Sequence, residues 1–291
     1  MKEKLKVAFL GSGKIGIDLL IKALRSDRLE CVLVSGRNLE SEGMRKSESL
    51  NVPISDNGID SILELKEEID LVFDATSAMA HTAHWEKLKK TNIRVIDMTP
   101  SGIGLPVVPA INSNEILSNQ NVNMITCGGQ ASLPIVNAVS EAQKGINYIE
   151  IVSSIASLSA GPATRANIDE YIDATESGAK RFSKTKESKV ILILNPAEPP
   201  IFMQTSISFL TDGIEINLEE IRKSTTQMIK KIQKYVPGYE LLVEPVIVGD
   251  DRLIVMIKVT GLGDYLPSYA GNLDIINCAA ISVAENFSII K

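Results

Sequence analysis

KVAFLGSGKIG (residues 6–16) decides the fold. Five residues of strand-like apolar character run into Gly11-Ser12-Gly13-Lys14-Ile15-Gly16, the G-x-G-x-x-G spacing. Behind it Ile15, Leu19, Leu20, Ala23 and Leu24 recur at the period of a helix buried along one face. In a strand–turn–helix unit the first glycine makes the turn and the second admits a pyrophosphate. The third lets helix and strand pack closely. The phosphates then meet unpaired N–H groups at the helix N-terminus. Glycine turns also arise for packing alone. A second strand at Leu29 to Val34 converts the pattern into a dinucleotide signal, and the fold class read from it is α/β.

An NAD-binding unit of this kind commonly ends its second strand in a carboxylate that holds the ribose hydroxyls. Here the strand ends in Ser35-Gly36-Arg37-Asn38, and no carboxylate appears before Glu40. Arg37 is suited to the 2′-phosphate of NADP; it reads equally as a solvated loop arginine. The cofactor is NAD or NADP, with Arg37 a slight lean to the latter.

Further strands follow at Asp70 to Ala75 and Ile93 to Met98, with the helix bearing His81, His84 and Trp85 between them. The two histidines share a helix face but lack a third ligand at metal spacing, so they read as surface or loop-closing residues and no metal is expected.

MITCGGQASLPIVNAV (residues 124–139) carries the chemistry. The reading is an apolar strand end, Cys127, a tight turn at Gly128-Gly129, and a helix from Ser132 with Pro134 in its first turn. A free thiol is only about 3 % ionised at pH 7. A helix N-terminus contributing up to ~2 kcal/mol lowers the pKa by roughly 1.5 units and makes about half of it thiolate. The alternative for any one cysteine is a buried, inert thiol. Cys31, Cys127 and Cys278 are too scattered for a disulfide framework or a metal set, which fits a reducing cytosol.

Beyond Cys127 the strands lengthen. The expected division is residues 1–127 with a returning helix at 271–291 as the dinucleotide-binding domain, and 128–270 as the catalytic and dimerisation domain. Helix 218–236 begins at an Asn217/Glu220 capping pair, and a hairpin turns at Gly249-Asp250-Asp251. A net charge of −6 without a basic run argues against nucleic acid or an anionic membrane as partner, and 4 % aromatic content argues against a base-stacking platform. Residues 1–6 do not read as a signal peptide, and no apolar run reaches the ~20 residues of a membrane span.

GSGKIG, DATSAMAH, IDMTP, TCGGQAS, SAGPATRANIDE, NPAEPP and LPSYAGNLDI, in this order along nearly the whole chain, resemble the acylating acetaldehyde dehydrogenases. Those enzymes often work beside a 4-hydroxy-2-oxovalerate aldolase. The resemblance implies a Rossmann domain followed by a semialdehyde-dehydrogenase-like α/β domain, homo-oligomerisation, and coenzyme A as co-substrate. It implies that Cys127 carries the acyl group and that Ser12, Gly13, Lys14 and Ile15 hold the cofactor phosphates. It also implies that Ser159, Ala160, Gly161, Pro162, Ala163, Thr164, Arg165, Ala166 and Asn167, with Asn272, line the nicotinamide half. Gln130 is placed to add a donor. Three departures stand out: Arg37 replaces the family's usual acid, Thr205 stands where the family has an aspartate, and the hairpin near Asp250 is short. The alternatives are a weakly active nucleotide-binding partner of an aldolase and an acyl-phosphate-dependent semialdehyde dehydrogenase.

Overall fold

The computed structural model describes residues 3–211 and 213–289. The chain divides into two compact units. One comprises the chain up to Met124, Asp264–Leu266 and the stretch from Ile276 onward; the other comprises Ile125–Gly263 and Pro267–Ile275.

The first unit is a parallel sheet of seven strands: β1 (Leu5–Leu10), β2 (Leu29–Ser35), β3 (Ile54–Ser55), β4 (Leu71–Asp74), β5 (Arg94–Asp97), β6 (Leu105–Pro106) and β7 (Asn121–Asn123). Their order, β3-β2-β1-β4-β5-β7-β6, reverses direction at β1, so the crevice lies at the carboxyl ends of β1 and β4. Parallel strands buried on both faces need continuous apolar runs, and LKVAFL and LVFD supply them, with Phe9 stacked on Phe73 at 5.2 Å.

Among the described residues the helices α1 (Lys14–Leu24), α2 (Glu42–Ser49), α3 (Ile59–Glu64), α4 (Ala78–Leu88) and α5 (Pro109–Asn112) belong here, with the chain's last helix from Ile276 onward. The sequence reading lacks α2, whose only large apolar residue is the buried Met44. Its start is marked instead by Ser41, which accepts from the Met44 N–H.

A buried polar clamp ties the returning chain to α1. Lys22 Nζ lies 3.1 Å from Asp18 and 2.8 Å from Asp264, Arg25 reaches Asp264 at 2.6 Å, and Asn277 donates to Asp18 at 2.8 Å. Burial alone would raise the Asp264 carboxyl, but the hydrogen bonds from Lys22 and Arg25 overcome it and hold it below the usual range.

The second unit carries α6 (Cys127–Ala142), β8 (Tyr148–Ala156), α7 (Pro162–Ala166), α8 (Ile168–Ser183), β9 (Glu187–Asn195), β10 (Met203–Leu210), α9 (Leu218–Ile232), β11 (Tyr239–Val248) and β12 (Arg252–Val259). The strands form one sheet in the order β11-β12-β10-β8-β9, antiparallel except for the β8–β9 pair. Strict alternation in β8 and β10 buries one face, while α6 packs against both α8 and α9. Asn217 caps α9 by accepting from the Glu220 N–H at 3.1 Å. The Asn217 N–H itself goes to Gln143 Oε1, so half of a capping box forms. The final helix, α10 (Gly271–Ser288), contributes its first residues to this unit.

Candidate functional site

In the first unit the glycine turn is built as its spacing predicts. Gly11 has φ +101°, and a Cβ there would lie 2.7 Å from the Ala75 carbonyl oxygen; a Cβ on Gly16 would lie 2.0 Å from that of Gly11. Gly13 is different: a Cβ would meet open space, leaving room for a ligand to approach the backbone. Gly13 is also the N-cap of α1, no side chain caps it, and no acid occupies the first turn. The N–H groups of Lys14, Ile15 and Gly16 therefore face outward with the positive end of the helix dipole, an anion site of the kind a pyrophosphate fills. Gly43 of α2 presses on the same loop, its would-be Cβ only 1.9 Å from the Ser12 carbonyl oxygen, and the Ser12 and Ser41 hydroxyls lie 3.4 Å apart. Arg37 is exposed just past β2, and Glu40, the first carboxylate, is spent on Arg45 at 2.8 Å.

Beneath this edge lies a buried network that corrects the expectation of surface histidines. His81 is fully buried, and its Nδ1 and that of His84 meet the same Asp74 oxygen, at 2.9 and 2.8 Å. His81 Nε2 lies 3.1 Å from Asn121 Nδ2 and 3.4 Å from Asp97, to which Asn123 donates at 2.7 Å. Burial opposes a charged imidazole, but the Asp74 hydrogen bond and the charges of Asp97 and Asp74 outweigh it and raise the His81 pKa. Asp74 is held low by the two histidines despite its burial, whereas burial pushes Asp97 up. Asp74 and Asp97 are the last residues of β4 and β5, so the network braces the ends of the strands that floor the crevice.

In the second unit the Cys127 stretch differs from its sequence reading. The helix begins at Cys127 itself, not at Ser132. The turn is made three residues earlier than Gly128, by Ile125 at φ +63°, a strained conformation for a β-branched residue. Thr126 is the N-cap, accepting the Gly129 N–H at 2.8 Å. Gly128 and Gly129 are thus helical, and their role is clearance. A Cβ on Gly128 would fall 1.7 Å from the Tyr171 hydroxyl oxygen, and one on Gly129 would fall 3.0 Å from the Ile125 side chain. Pro134 stands inside the helix, where it forfeits the bond its N–H would give to the Gln130 carbonyl.

Cys127 retains partial exposure while Cys278 is buried. The predicted low pKa is not what the surroundings give. Burial pushes the thiol up to about 11; the Gly128 and Cys127 backbone N–H groups and the Asn272 amide pull it back only in part. At pH 7 roughly one such thiol in ten thousand is ionised. The helix terminus is real but loses to desolvation.

Asn272 is brought to the sulfur because Gly271 allows α10 to start against β12, where a Cβ would lie 2.1 Å from the Val259 carbonyl oxygen. Both amide atoms of Asn272 are enclosed without a partner of standard geometry. Gln130 is likewise buried in the second turn of α6.

The 159–167 segment holds itself together. Ser159 donates to the Ala156 carbonyl at 2.8 Å, and Arg165 binds the Ala160 and Ser157 carbonyls, each at 3.1 Å. What it offers outward is backbone, with open space at Gly161. Ala160 is buried, Ala166 is exposed, and Thr164 and Asn167 are half-buried. The side chains of Pro162 and Ala163 lie outside the described residues.

A family described as prokaryotic acetaldehyde dehydrogenase, dimerisation, matches residues 127–267. An acetaldehyde dehydrogenase of Pectobacterium atrosepticum is 52 % identical over all of this chain and 98 % of its own length. The chain belongs to the acetaldehyde dehydrogenase family. Relatives of the same name from Spirochaeta aurantia and Geobacillus stearothermophilus are 50 % and 46 % identical, each over 98 % of this chain and 95 % and 96 % of their own lengths. The chain is accordingly an oxidoreductase, an acylating aldehyde dehydrogenase by its relatives. The matched dimerisation segment supports an oligomer, and apolar side chains stand exposed on its sheet at Ile191, Ile193, Val246 and Val248. Among the described residues no helix is long and apolar enough to cross a membrane.

The raised thiol pKa has a direct consequence. Alkylation of Cys127 by iodoacetamide in the ligand-free protein is expected to be slow at pH 7 and to accelerate about tenfold per pH unit through pH 10. A rate that plateaus near neutral pH contradicts this.

Proposed function

We propose that the chain interconverts a short-chain aldehyde and its acyl-CoA, with Cys127 carrying the acyl group as a thioester. The observation that carries this reading is Cys127 as the first residue of α6, partly exposed, with backbone N–H groups and the enclosed Asn272 amide directed at its sulfur. Sulfur suits the task because a thioester can be passed on to a second thiol.

In the oxidative direction the Cys127 sulfur bonds to the aldehyde carbon, and the thiol proton ends on the carbonyl oxygen. When bound, the nicotinamide supplies the two-electron chemistry, taking or giving the hydride that separates the aldehyde and acyl levels. The hydroxyl proton is released and the thioester remains on Cys127. The coenzyme A thiol then attacks that carbonyl, the Cys127–carbon bond breaks, and the proton of the incoming thiol restores the resting residue. N–H groups of the first turn of α6 face the oxyanion in both additions, with Asn272 and Gln130 as further donors.

Gly11 to Gly16 fit a dinucleotide by the open approach at Gly13 and the uncapped α1, and Ser159 to Asn167 with Asn272 are assigned to the nicotinamide half. Arg37 is assigned to the adenosine end. If it receives a 2′-phosphate, Arg37→Ala weakens NADP binding about tenfold, ~1.4 kcal/mol, and leaves NAD within twofold. Equal, unchanged affinities for both in a binding titration make Arg37 a solvated loop residue. A cytosolic setting, in which the free thiols stay reduced, and an aldolase partner complete the proposal.

Cys127→Ala is expected to abolish turnover with acyl-CoA while dinucleotide affinity stays within twofold. Acyl phosphate, tested beside acyl-CoA on the unaltered enzyme, is expected to be a poor substrate. Turnover by the alanine variant, or preference for the phosphate, contradicts the proposal. A scaffold role, which Thr205 motivates, predicts no turnover with either.

A further inference from the structure

We propose that Tyr171 is a positioning residue for the Cys127 nucleophile, its buried hydroxyl holding the first turn of α6 and offering an O–H to the charge that forms on the sulfur. The inference rests on the thioester reading above and assigns a residue to it.

The placement comes first. The Tyr171 oxygen fills the space that a side chain on Gly128 would occupy, 1.7 Å from the point where that Cβ would stand. No residue but glycine fits beside Cys127 while the phenol is there. Tyr171 is buried, and its hydroxyl lies against Ser153 and the Gly128 backbone without completing a hydrogen bond of standard geometry to either. An enclosed hydroxyl whose hydrogen bonding is left incomplete is uncommon and calls for an explanation. A donor kept for an anion that exists only during turnover supplies one.

The support for that hydroxyl is built. Tyr171 and Thr175 are one helical turn apart on α8 and share a face. Thr175 donates to the Tyr171 carbonyl at 2.7 Å and lies 2.7 Å from the hydroxyl of Thr126, the N-cap of α6. One face of α8 therefore addresses both the cap and the first turn of the nucleophile's helix. Behind the phenol, Ser153 Oγ is 3.5 Å from the same point above Gly128 and 3.0 Å from Thr205 Oγ1. Thr205, Ser153 and Tyr171 form a succession of hydroxyls from β10, β8 and α8 toward Cys127. Each added O–H polarises the next.

Every member of this group is neutral, which fixes its role. Burial, and then the neighbouring Cys127 sulfur, push the Tyr171 phenol well above its usual range, so it keeps its proton. It removes no proton from the thiol and gives none away. It acts on the sulfur by orientation and dipole, and Thr205 is the far end of that donor line rather than a failed base.

The test is Tyr171→Phe in the full-length enzyme, which deletes one oxygen and keeps the ring. Cys127 alkylation at pH 8 is expected to slow about tenfold, equivalent to a rise of about one unit in thiol pKa. Acylation of Cys127 by acetyl-CoA, followed by intact mass, is expected to slow by a similar factor, with KM for acetyl-CoA and the melting temperature nearly unchanged. Thr205→Val is expected to shift the alkylation rate the same way by a smaller factor. It carries the test should the phenylalanine variant fail to fold. Wild-type rates in the folded variants overturn the assignment. Absence of any acyl group on Cys127 in the unaltered enzyme instead overturns the thioester reading, whatever Tyr171 does.

Discussion

One left-handed residue sets up the chemistry. Ile125 at φ +63° turns the chain sharply enough for Thr126 to cap and for Cys127 to become the first residue of a 16-residue helix. A β-branched residue in that region costs on the order of 1–3 kcal/mol. The surrounding contacts must overdetermine it, and they do. Thr126 is fixed by the Gly129 N–H and by Thr175, Gly128 and Gly129 are stripped of side chains to admit their neighbours, and Gly271 brings Asn272 to the sulfur. Moving the helix start by a single residue rotates the thiol by about 100° and removes it from this setting.

Two electrostatic effects then compete at the sulfur. N–H groups at the helix start favour the thiolate, and exclusion of water disfavours it; the second wins, giving a pKa of about 11. A resting thiol is a protected thiol, slow to oxidise or alkylate. Reactivity then has to arise when substrate and cofactor are bound. Enclosed donors beside the sulfur whose hydrogen bonds are geometrically incomplete at rest, such as the Asn272 amide and the Tyr171 hydroxyl, are the groups such a design requires.

Legibility in the sequence follows the range of each interaction. The glycine turn and the strand periods depend on neighbours a few residues apart, so Gly11 to Gly16, β1, β2 and β4 are readable directly. Motif order supplied the family, which periodicity alone does not. Pro134 points to a later start for α6 than the structure has, because proline marks first turns far more often than interiors. A Gly-Gly pair likewise reads as a turn, when here Gly128 clears space for Tyr171, far along the chain, and Gly129 for Ile125. The burial of His81 is not legible because its partners, Asp74, Asp97 and Asn121, come from three separate strands that only the sheet order assembles. The α2 helix escaped because its capping serine carries the signal that its apolar residues do not.

The central claim is that Cys127 holds the acyl group. The most direct measurement is peptide-mapped mass spectrometry of the unaltered enzyme, quenched in acid after brief exposure to acetyl-CoA without dinucleotide. An acetyl group on the peptide containing Cys127, removed by free coenzyme A, is the predicted result. Acetylation that maps to Cys31, Cys278 or lysine, or none at all under conditions where the enzyme turns over, contradicts the account.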